Sequence, residues 1–252
     1  MSKAKTEQIP IWSQQVSIAS GGVLLDGELS VPRGARGVVL FAHGSGSSRH
    51  SPRNQYVARV IREAGIGTLL FDLLTRAEET VDLYKRHLRF DIGLLAHRLA
   101  DATRWLEKET QEITAQAQPE HLRPGYFGAS TGGSAALVAA AQLGETVGAV
   151  VSRGGRPDLA GPALLQVKAA TLLIVGGRDE PVIRLNEAAY AQLRGEKALK
   201  IVPGATHLFE EPGALEEVAR LASEWFVSTW GHRSSKRDLQ RTNNPLYILR
   251  GG

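Results

Sequence analysis

Short apolar runs alternate along this chain with longer segments in which apolar residues recur every three or four positions. The short runs are almost unbroken, as expected of strands that are buried on both faces of a parallel sheet. The longer segments have the apolar period of helices that cover such a sheet. Predicted strands span residues 37–42, 67–71, 147–151, 171–175 and 198–202, with another ending at 126–127, and predicted helices span 52–64, 92–108, 131–143, 182–193 and 214–230, with a short one near 162–167.

Two segments depart from this alternation. Residues 16–18 and 23–31 predict two strands joined at Gly21 and Gly22, a hairpin at the edge of the sheet. Residues 75–90 are densely charged and show no strong period, which predicts a loop with a helical turn at most. The chain is therefore predicted to be an α/β protein with a mostly parallel central sheet, helices on both faces and no large cap.

The carboxyl ends of the predicted strands carry polar residues that can do chemistry, and ligands bind at this edge in sheets of this kind. Ser130 follows the strand that ends at 126–127, Asp179 follows 171–175, and His207 follows the last strand. One serine, one acid and one histidine are thus predicted to converge. The same edge also carries Asp72, Ser152, Arg153, Arg178, Glu180 and Thr206.

Ser130 lies in the sequence Gly-Ala-Ser-Thr-Gly at 128–132, which fits the pattern G-x-S-x-G. In that pattern the serine occupies a strained turn between a strand and a helix, and small neighbours let the two elements approach each other. An apolar strand end precedes the turn and a helix rich in alanine follows it. The alternative is a serine in an ordinary strand-to-helix loop.

The three side chains can serve as nucleophile, base and orienting acid. A serine hydroxyl becomes a good nucleophile when an imidazole takes its proton, and a carboxylate holds that imidazole in the required tautomer. We predict that Ser130 attacks, His207 transfers the proton and Asp179 orients His207. Glu180 and Asp158 are the weaker candidates for the orienting acid.

Two backbone amides, those of Ser45 and Thr131, are predicted to stabilise the oxyanion. Thr131 follows the nucleophile, and Ser45 belongs to the loop His-Gly-Ser-Gly-Ser-Ser at 43–48 that ends an earlier strand. These are the two places from which such amides come in the G-x-S-x-G arrangement. The glycines of the loop let its backbone approach a substrate.

Four motifs together resemble the α/β-hydrolases, and more particularly the small, capless branch of dienelactone-hydrolase-like proteins. They are His-Gly-Ser-Gly at 43–46, Gly-Ala-Ser-Thr-Gly at 128–132, Gly-Arg-Asp at 177–179 and Gly-Ala-Thr-His at 204–207, in the family's order. The resemblance covers residues 16–230. Dienelactone hydrolases themselves use a cysteine, and this chain has none. The resemblance therefore implies serine ester chemistry, and Ser130 argues against the related branches that place an aspartate on the turn.

The net charge of +4 lies in the last segment, where five basic residues and one acid follow position 230. We predict a single domain over residues 1–230 and a basic tail over 231–252. Residues 1–230 carry equal numbers of basic and acidic residues. This balance argues against a nucleic-acid partner, because nucleic-acid-binding domains concentrate positive charge on one face. The apolar residues 246–249 could pack on the body or on a second subunit, so a monomer and a homodimer both remain open.

The sequence predicts a cytoplasmic protein with no membrane partner. No apolar run approaches the ~20 residues of a membrane helix, and residues 1–10 contain no apolar signal region. The absence of cysteine excludes disulfides and thiolate metal sites. No pair of histidines has the spacing and acidic company of a metal site, so neither a metal nor a cofactor is predicted.

Five arginines lie on loops at the predicted site edge: Arg49, Arg53, Arg76, Arg153 and Arg178. Arginine on such loops can bind the carboxylate or phosphate of an anionic substrate. Arg49 and Arg153 are the predicted substrate-binding residues. The alternative is that these arginines are solvated loop residues.

The predicted function is a serine hydrolase that cleaves a small carboxylic ester or lactone through an acyl-enzyme. One alternative keeps the triad but changes the acceptor, which gives an acyltransferase or a thioesterase. The other is a non-catalytic binding module on the same fold.

Overall fold

The computed structural model describes residues 10–119 and 122–242, without the side chains of residues 110 and 232–242. Within them one sheet holds eight strands in the order β1-β2-β4-β3-β5-β6-β7-β8. The first two strands pair antiparallel, and β2 is also antiparallel to β4, whereas all later neighbours are parallel. The strands are β1 Ile11–Ser20, β2 Val23–Pro32, β3 Val38–Ala42, β4 Gly67–Phe71, β5 Pro124–Ala129, β6 Ala149–Arg153, β7 Ala170–Gly176 and β8 Lys197–Val202. The predicted parallel sheet with an edge hairpin is confirmed.

Helices cover both faces of the sheet, and each face has its own apolar core. One core includes α3 and α5, and the other includes α1 and α7, which pack against each other. No described helix is long and apolar enough to cross a membrane. The helices are α1 Pro52–Glu63, α2 Arg76–Lys85, α3 Ile92–Lys108, α4 Thr110–Ala117, α5 Thr131–Leu143, α6 Glu180–Gln192 and α7 Ala214–Thr242, with 3-10 turns at Leu88–Phe90, Gly144–Thr146 and Pro157–Gln166.

The prediction of a loop at 75–90 is wrong, because α2 forms there. The Thr75 hydroxyl accepts a hydrogen bond from the Glu78 amide, and the Glu78 carboxylate accepts one from the Thr75 amide at 2.8 Å. This reciprocal capping box satisfies two amides that a helix start leaves unpaired. The helix thus depends on its cap rather than on an apolar face. Its buried residue is the polar Asp82.

Two further helical segments were not predicted. Helix α4 follows α3 directly and has no apolar stripe long enough to reveal it. Helix α7 was predicted to end at Trp230 and continues to Thr242, although the apolar period stops near Trp230. The division at 230/231 stays a prediction, and residues 246–249 lie outside the described residues.

Candidate active site

The turn that carries Ser130 has the strained backbone that its motif predicts. Ser130 has φ +51° and ψ −120°, a backbone conformation that residues other than glycine rarely adopt. Its amide donates to the carbonyl of Arg153 at 3.2 Å, and its carbonyl accepts from the amides of Gly133 and Arg156. The turn is therefore fixed against the end of β6, with Ser130 directly before α5.

Gly132 lets the start of α5 lie against the end of β3. A Cβ atom at this position would lie 2.0 Å from the carbonyl oxygen of Ala42 and 2.7 Å from that of His43. Both contacts are with backbone, which cannot rotate away. The small residue is thus needed where the nucleophile turn meets the loop after β3.

We expect Gly132→Ala to lower the free energy of unfolding by about 2–4 kcal/mol, because the strand and helix must separate to admit the methyl group. Urea denaturation measures the loss. Gly93→Ala, near the start of α3, is the matched control, since the added Cβ would meet only the Asp91 Oδ1 atom, at 3.4 Å. That control should change stability by at most about 1 kcal/mol, and towards greater stability. Equal stability of Gly132→Ala and the wild type would show that the close approach is not needed.

His207 and Asp179 are in direct contact with each other. His207 Nδ1 lies 2.7 Å from Asp179 Oδ2, and Asp179 is largely buried, with 14% of its side chain exposed. Asp179 precedes α6 and His207 follows β8, as the sequence predicts. The two other acids have different partners: Glu180 is 80% exposed beside Arg184, and Asp158 pairs with Arg156. The geometry thus favours Asp179 as the orienting acid.

The His207 imidazole lies near Gly154, which directly follows Arg153. A Cβ atom on Gly154 would lie 3.5 Å from His207 Cε1 and 3.2 Å from the His207 carbonyl oxygen. Gly154 has φ +52°, so its conformation also favours glycine. Because the Arg153 carbonyl binds the Ser130 amide, two consecutive residues connect the nucleophile turn to the neighbourhood of His207.

The predicted oxyanion residues Ser45 and Thr131 are also in contact. The Ser45 amide donates to the Thr131 hydroxyl at 3.1 Å. A Cβ atom on the neighbouring Gly44 would lie 3.2 Å from Ser130 Cβ, so this loop closely approaches the nucleophile. The Thr131 amide belongs to the first turn of α5, where it has no partner within the helix. The two amides therefore belong to segments that both adjoin Ser130.

His43 has a positioning role that the sequence did not reveal. It is buried, its Nδ1 donates to the Gly44 carbonyl at 3.0 Å, and its Nε2 accepts from the Leu73 amide at 2.9 Å. Burial lowers the pKa of His43, although the Gly44 bond and Asp72 oppose that shift. The neutral ring links the loop after β3 to the loop after β4. Only the fold brings Leu73 within reach, so residue order could not indicate this bond.

The two predicted substrate-binding arginines have different surroundings. Arg49 forms an ion pair with Asp72, and its amide also donates to that carboxylate at 2.8 Å. Arg49 thus holds its own loop to the end of β4. Arg153 is only 6% exposed, and its guanidinium lies 5.7 Å from the centre of the Phe209 ring.

A cavity of about 840 Å³ opens between the loop after β3 and helix α2. Its wall includes Gly44 and Ser45, so it reaches the predicted oxyanion loop, whereas Ser130 and His207 do not line it. Leu73 and Leu83 contribute apolar wall. The cavity therefore adjoins the predicted oxyanion loop on the side of helix α2.

Comparison with known proteins decides the family. The chain is 62% identical to a dienelactone hydrolase from Anabaena variabilis whose crystal structure is known, with a TM-score of 0.80 over 87% of this chain and 98% of that one. The chain belongs to the dienelactone-hydrolase-like branch of the α/β-hydrolases. Est1E from Butyrivibrio proteoclasticus shares the fold, with 15% identity and a TM-score of 0.68 over 85% of this chain and 98% of that one. The predicted resemblance is confirmed.

Relatives in two Mycobacterium tuberculosis strains are longer than this chain. Each is called "Putative phosphoribosyl transferase" and is 58% identical over 218 residues, which are 86% of this chain and 47% of the relative. The chain thus spans about half the length of the curated relatives it matches. No family model matches the chain.

Proposed function

We propose that this protein is a serine hydrolase that cleaves a small carboxylic ester or lactone through an acyl-enzyme. The observation that carries the proposal is the 2.7 Å bond between Asp179 and His207 beside the strained Ser130 turn. A carboxylate on Nδ1 leaves Nε2 free to accept the serine proton. Membership of a hydrolase family supports the same reaction.

The reaction has two halves with the same residues. Ser130 Oγ attacks the ester carbonyl while His207 takes the hydroxyl proton, and His207 then gives that proton to the leaving alcohol. Water attacks the acyl-Ser130 ester with His207 again as base, and the acid product leaves. The amides of Ser45 and Thr131 donate to the oxyanion in both halves, and each such donor commonly lowers the barrier by about 3 kcal/mol.

The Thr131 hydroxyl has to share or release the Ser45 amide when the oxyanion forms, since it accepts from that amide in the structure. No cofactor has a role in this chemistry. The Mycobacterium relatives are about twice as long as the segment that this chain matches. Their name therefore does not assign a reaction to the matched segment.

A panel of methyl and 4-nitrophenyl esters with short acyl chains tests the proposal. Hydrolysis that releases one acid and one alcohol per turnover supports it. Added primary alcohols or thiols divert the acyl group if the protein is a transferase, so a product consisting mainly of new ester or thioester would replace hydrolysis by acyl transfer. Absence of turnover with every ester would favour the binding module.

A further inference from the structure

Asn186 is a polar side chain on the buried stripe of α6. Its neighbours along that stripe, Val182 and Ala189, are apolar, and Asn186 itself is fully buried. Its Nδ2 donates to the carbonyl of Val182 at 2.8 Å and to the carbonyl of Gly155 at 3.0 Å. These two acceptors fix the orientation of the amide, because only its nitrogen can donate. The first bond stays within α6, whereas the second reaches the loop after β6.

Asparagine at this position has a cost that an apolar residue would avoid. The Asn186 Oδ1 atom is buried and has no hydrogen-bond partner among the residues that the structure describes. Leucine would bury no unpaired acceptor on α6 and would continue the apolar stripe. The bond to the Gly155 carbonyl is therefore what distinguishes asparagine from leucine here.

The loop after β6, residues 153–156, binds both the amide and the carbonyl of Ser130. The Arg153 carbonyl accepts from the Ser130 amide at 3.2 Å, and the Arg156 amide donates to the Ser130 carbonyl at 3.3 Å. Gly155, the residue that Asn186 holds, lies between these two attachment points. A shift of the Gly155 peptide therefore acts on the backbone of the predicted nucleophile.

The same bond connects this loop to the helix that follows the predicted orienting acid. Asp179 lies directly before α6, and Asn186 lies about two turns into that helix. Gly154, the neighbour of Gly155, is close to the imidazole, since a Cβ atom on it would lie 3.5 Å from His207 Cε1. Asn186 thus links the segment that holds Ser130 to the segments that carry Asp179 and His207.

We propose that Asn186 is a positioning residue for ester hydrolysis. By binding the Gly155 carbonyl it fixes the Ser130 turn relative to the pair His207 and Asp179. This inference rests on the proposed function. Proton transfer from Ser130 to His207 needs the two groups held to within about 0.5 Å, and a misplacement of about 1 Å can cost about 100-fold in rate.

Asn186→Leu removes the donor at a similar side-chain volume. We expect kcat for ester hydrolysis to fall about 30-fold, because the Ser130 turn is no longer held in place relative to His207. KM should change less than about 3-fold, since Asn186 does not line the cavity beside the oxyanion loop. The rate at which a fluorophosphonate labels Ser130 should fall by the same factor as kcat.

Asn186→Asp keeps the shape of the side chain and makes the donor dependent on pH. The introduced carboxyl can donate to the Gly155 carbonyl when it is protonated, and it repels that carbonyl when it is ionised. The ratio of its kcat to the wild-type kcat should therefore fall as the pH rises from about 6 to about 9, the range to which burial moves a carboxyl pKa. The same ratio for Asn186→Leu should stay constant.

Thr103→Val is the control for the loss of a buried hydrogen bond. Thr103 is buried on α3, and its Oγ1 lies 2.7 Å from the hydroxyl oxygen of Tyr126. This variant should lower the melting temperature about as much as Asn186→Leu does, because each change leaves a buried polar group without its partner. Its kcat should stay within about 2-fold of the wild type. An equal loss of kcat in Thr103→Val would attribute the effect to stability and overturn the proposal.

Gln192→Leu is the control for the bond that stays within α6. Gln192 Nε2 donates to the carbonyl of Ala188 at 3.2 Å, four residues earlier, as Asn186 does to Val182. It has no printed bond to the loop after β6, so this variant should keep kcat within about 2-fold. A 30-fold loss in Gln192→Leu would assign the effect to the helix and contradict a role for the Gly155 bond.

Four other results would overturn the proposal. They are a wild-type kcat in Asn186→Leu, a rise in KM with kcat unchanged, a pH-independent kcat ratio in Asn186→Asp, and failure of both variants to fold. If the wild type cleaves esters while any of these holds, the hydrolase assignment stands and only the role of Asn186 falls. A wild type with neither ester turnover nor labelling at Ser130 would overturn both, because there would be no reaction to position.

Discussion

Replacing Ser130 by alanine is expected to reduce kcat for ester hydrolysis by at least about 10⁴-fold. The acyl-enzyme cannot form without the hydroxyl, and what remains is the weak catalysis of an oxyanion site acting on water. The fold should persist, because alanine keeps the backbone bonds of the turn to Arg153, Gly133 and Arg156. Steady-state kinetics on an ester that the wild type cleaves measures the loss.

Ser152→Ala is the control for that variant. Ser152 lies at the end of β6, and its buried Oγ has no partner within the described residues. Removing this hydroxyl leaves no bond broken, so activity should stay within a few fold of the wild type. If Ser130→Ala retained wild-type kcat, the nucleophile would have to be another residue.

Replacing Asp179 by asparagine is expected to lower kcat by about 10³–10⁴-fold while the protein keeps its fold. The asparagine amide can donate to His207 Nδ1, which leaves the ring proton on Nε2. In that tautomer the imidazole cannot accept the proton of Ser130. Kinetics on the same ester, with a circular dichroism spectrum as the fold check, gives the result.

Glu180→Gln tests whether the neighbouring acid contributes. Glu180 is exposed and contacts Arg184 on its own helix, not His207. Its replacement should therefore leave kcat within about 2-fold, because an exposed ion pair contributes little even to stability and this one does not involve His207. A larger loss in Glu180→Gln than in Asp179→Asn would exchange the two roles.

The sequence predicted the strands well because burial on both faces leaves a plain apolar signature. The strand predicted at 67–71 is Gly67–Phe71 in the structure, and helix Ile92–Lys108 has the predicted bounds. The predicted strands in turn predict which polar residues lie near one another, because parallel strands bring their carboxyl ends to one edge of the sheet. Helix α2 has a readable capping-box start, Thr-Arg-Ala-Glu, but no apolar period, so the period alone predicts a loop there.

The surroundings of the arginines could not be predicted from the sequence. Arg49 and Asp72 are separated by 23 residues, and only the packing of two loops brings them together. Arg153 likewise lies against the ring of Phe209, which follows a different strand. Residue order predicts that both arginines lie near the site, and tertiary packing decides which of them has a partner.

The central claim is that Ser130 is an activated nucleophile, and reaction with a fluorophosphonate tests it most directly. Peptide mass analysis should locate a single adduct on Ser130 in the folded wild type. No adduct should form in Ser130→Ala, and labelling should slow by at least about 100-fold in His207→Ala, where the proton acceptor is lost. A folded wild-type protein that stays unlabelled, or an adduct on another serine, would contradict the account.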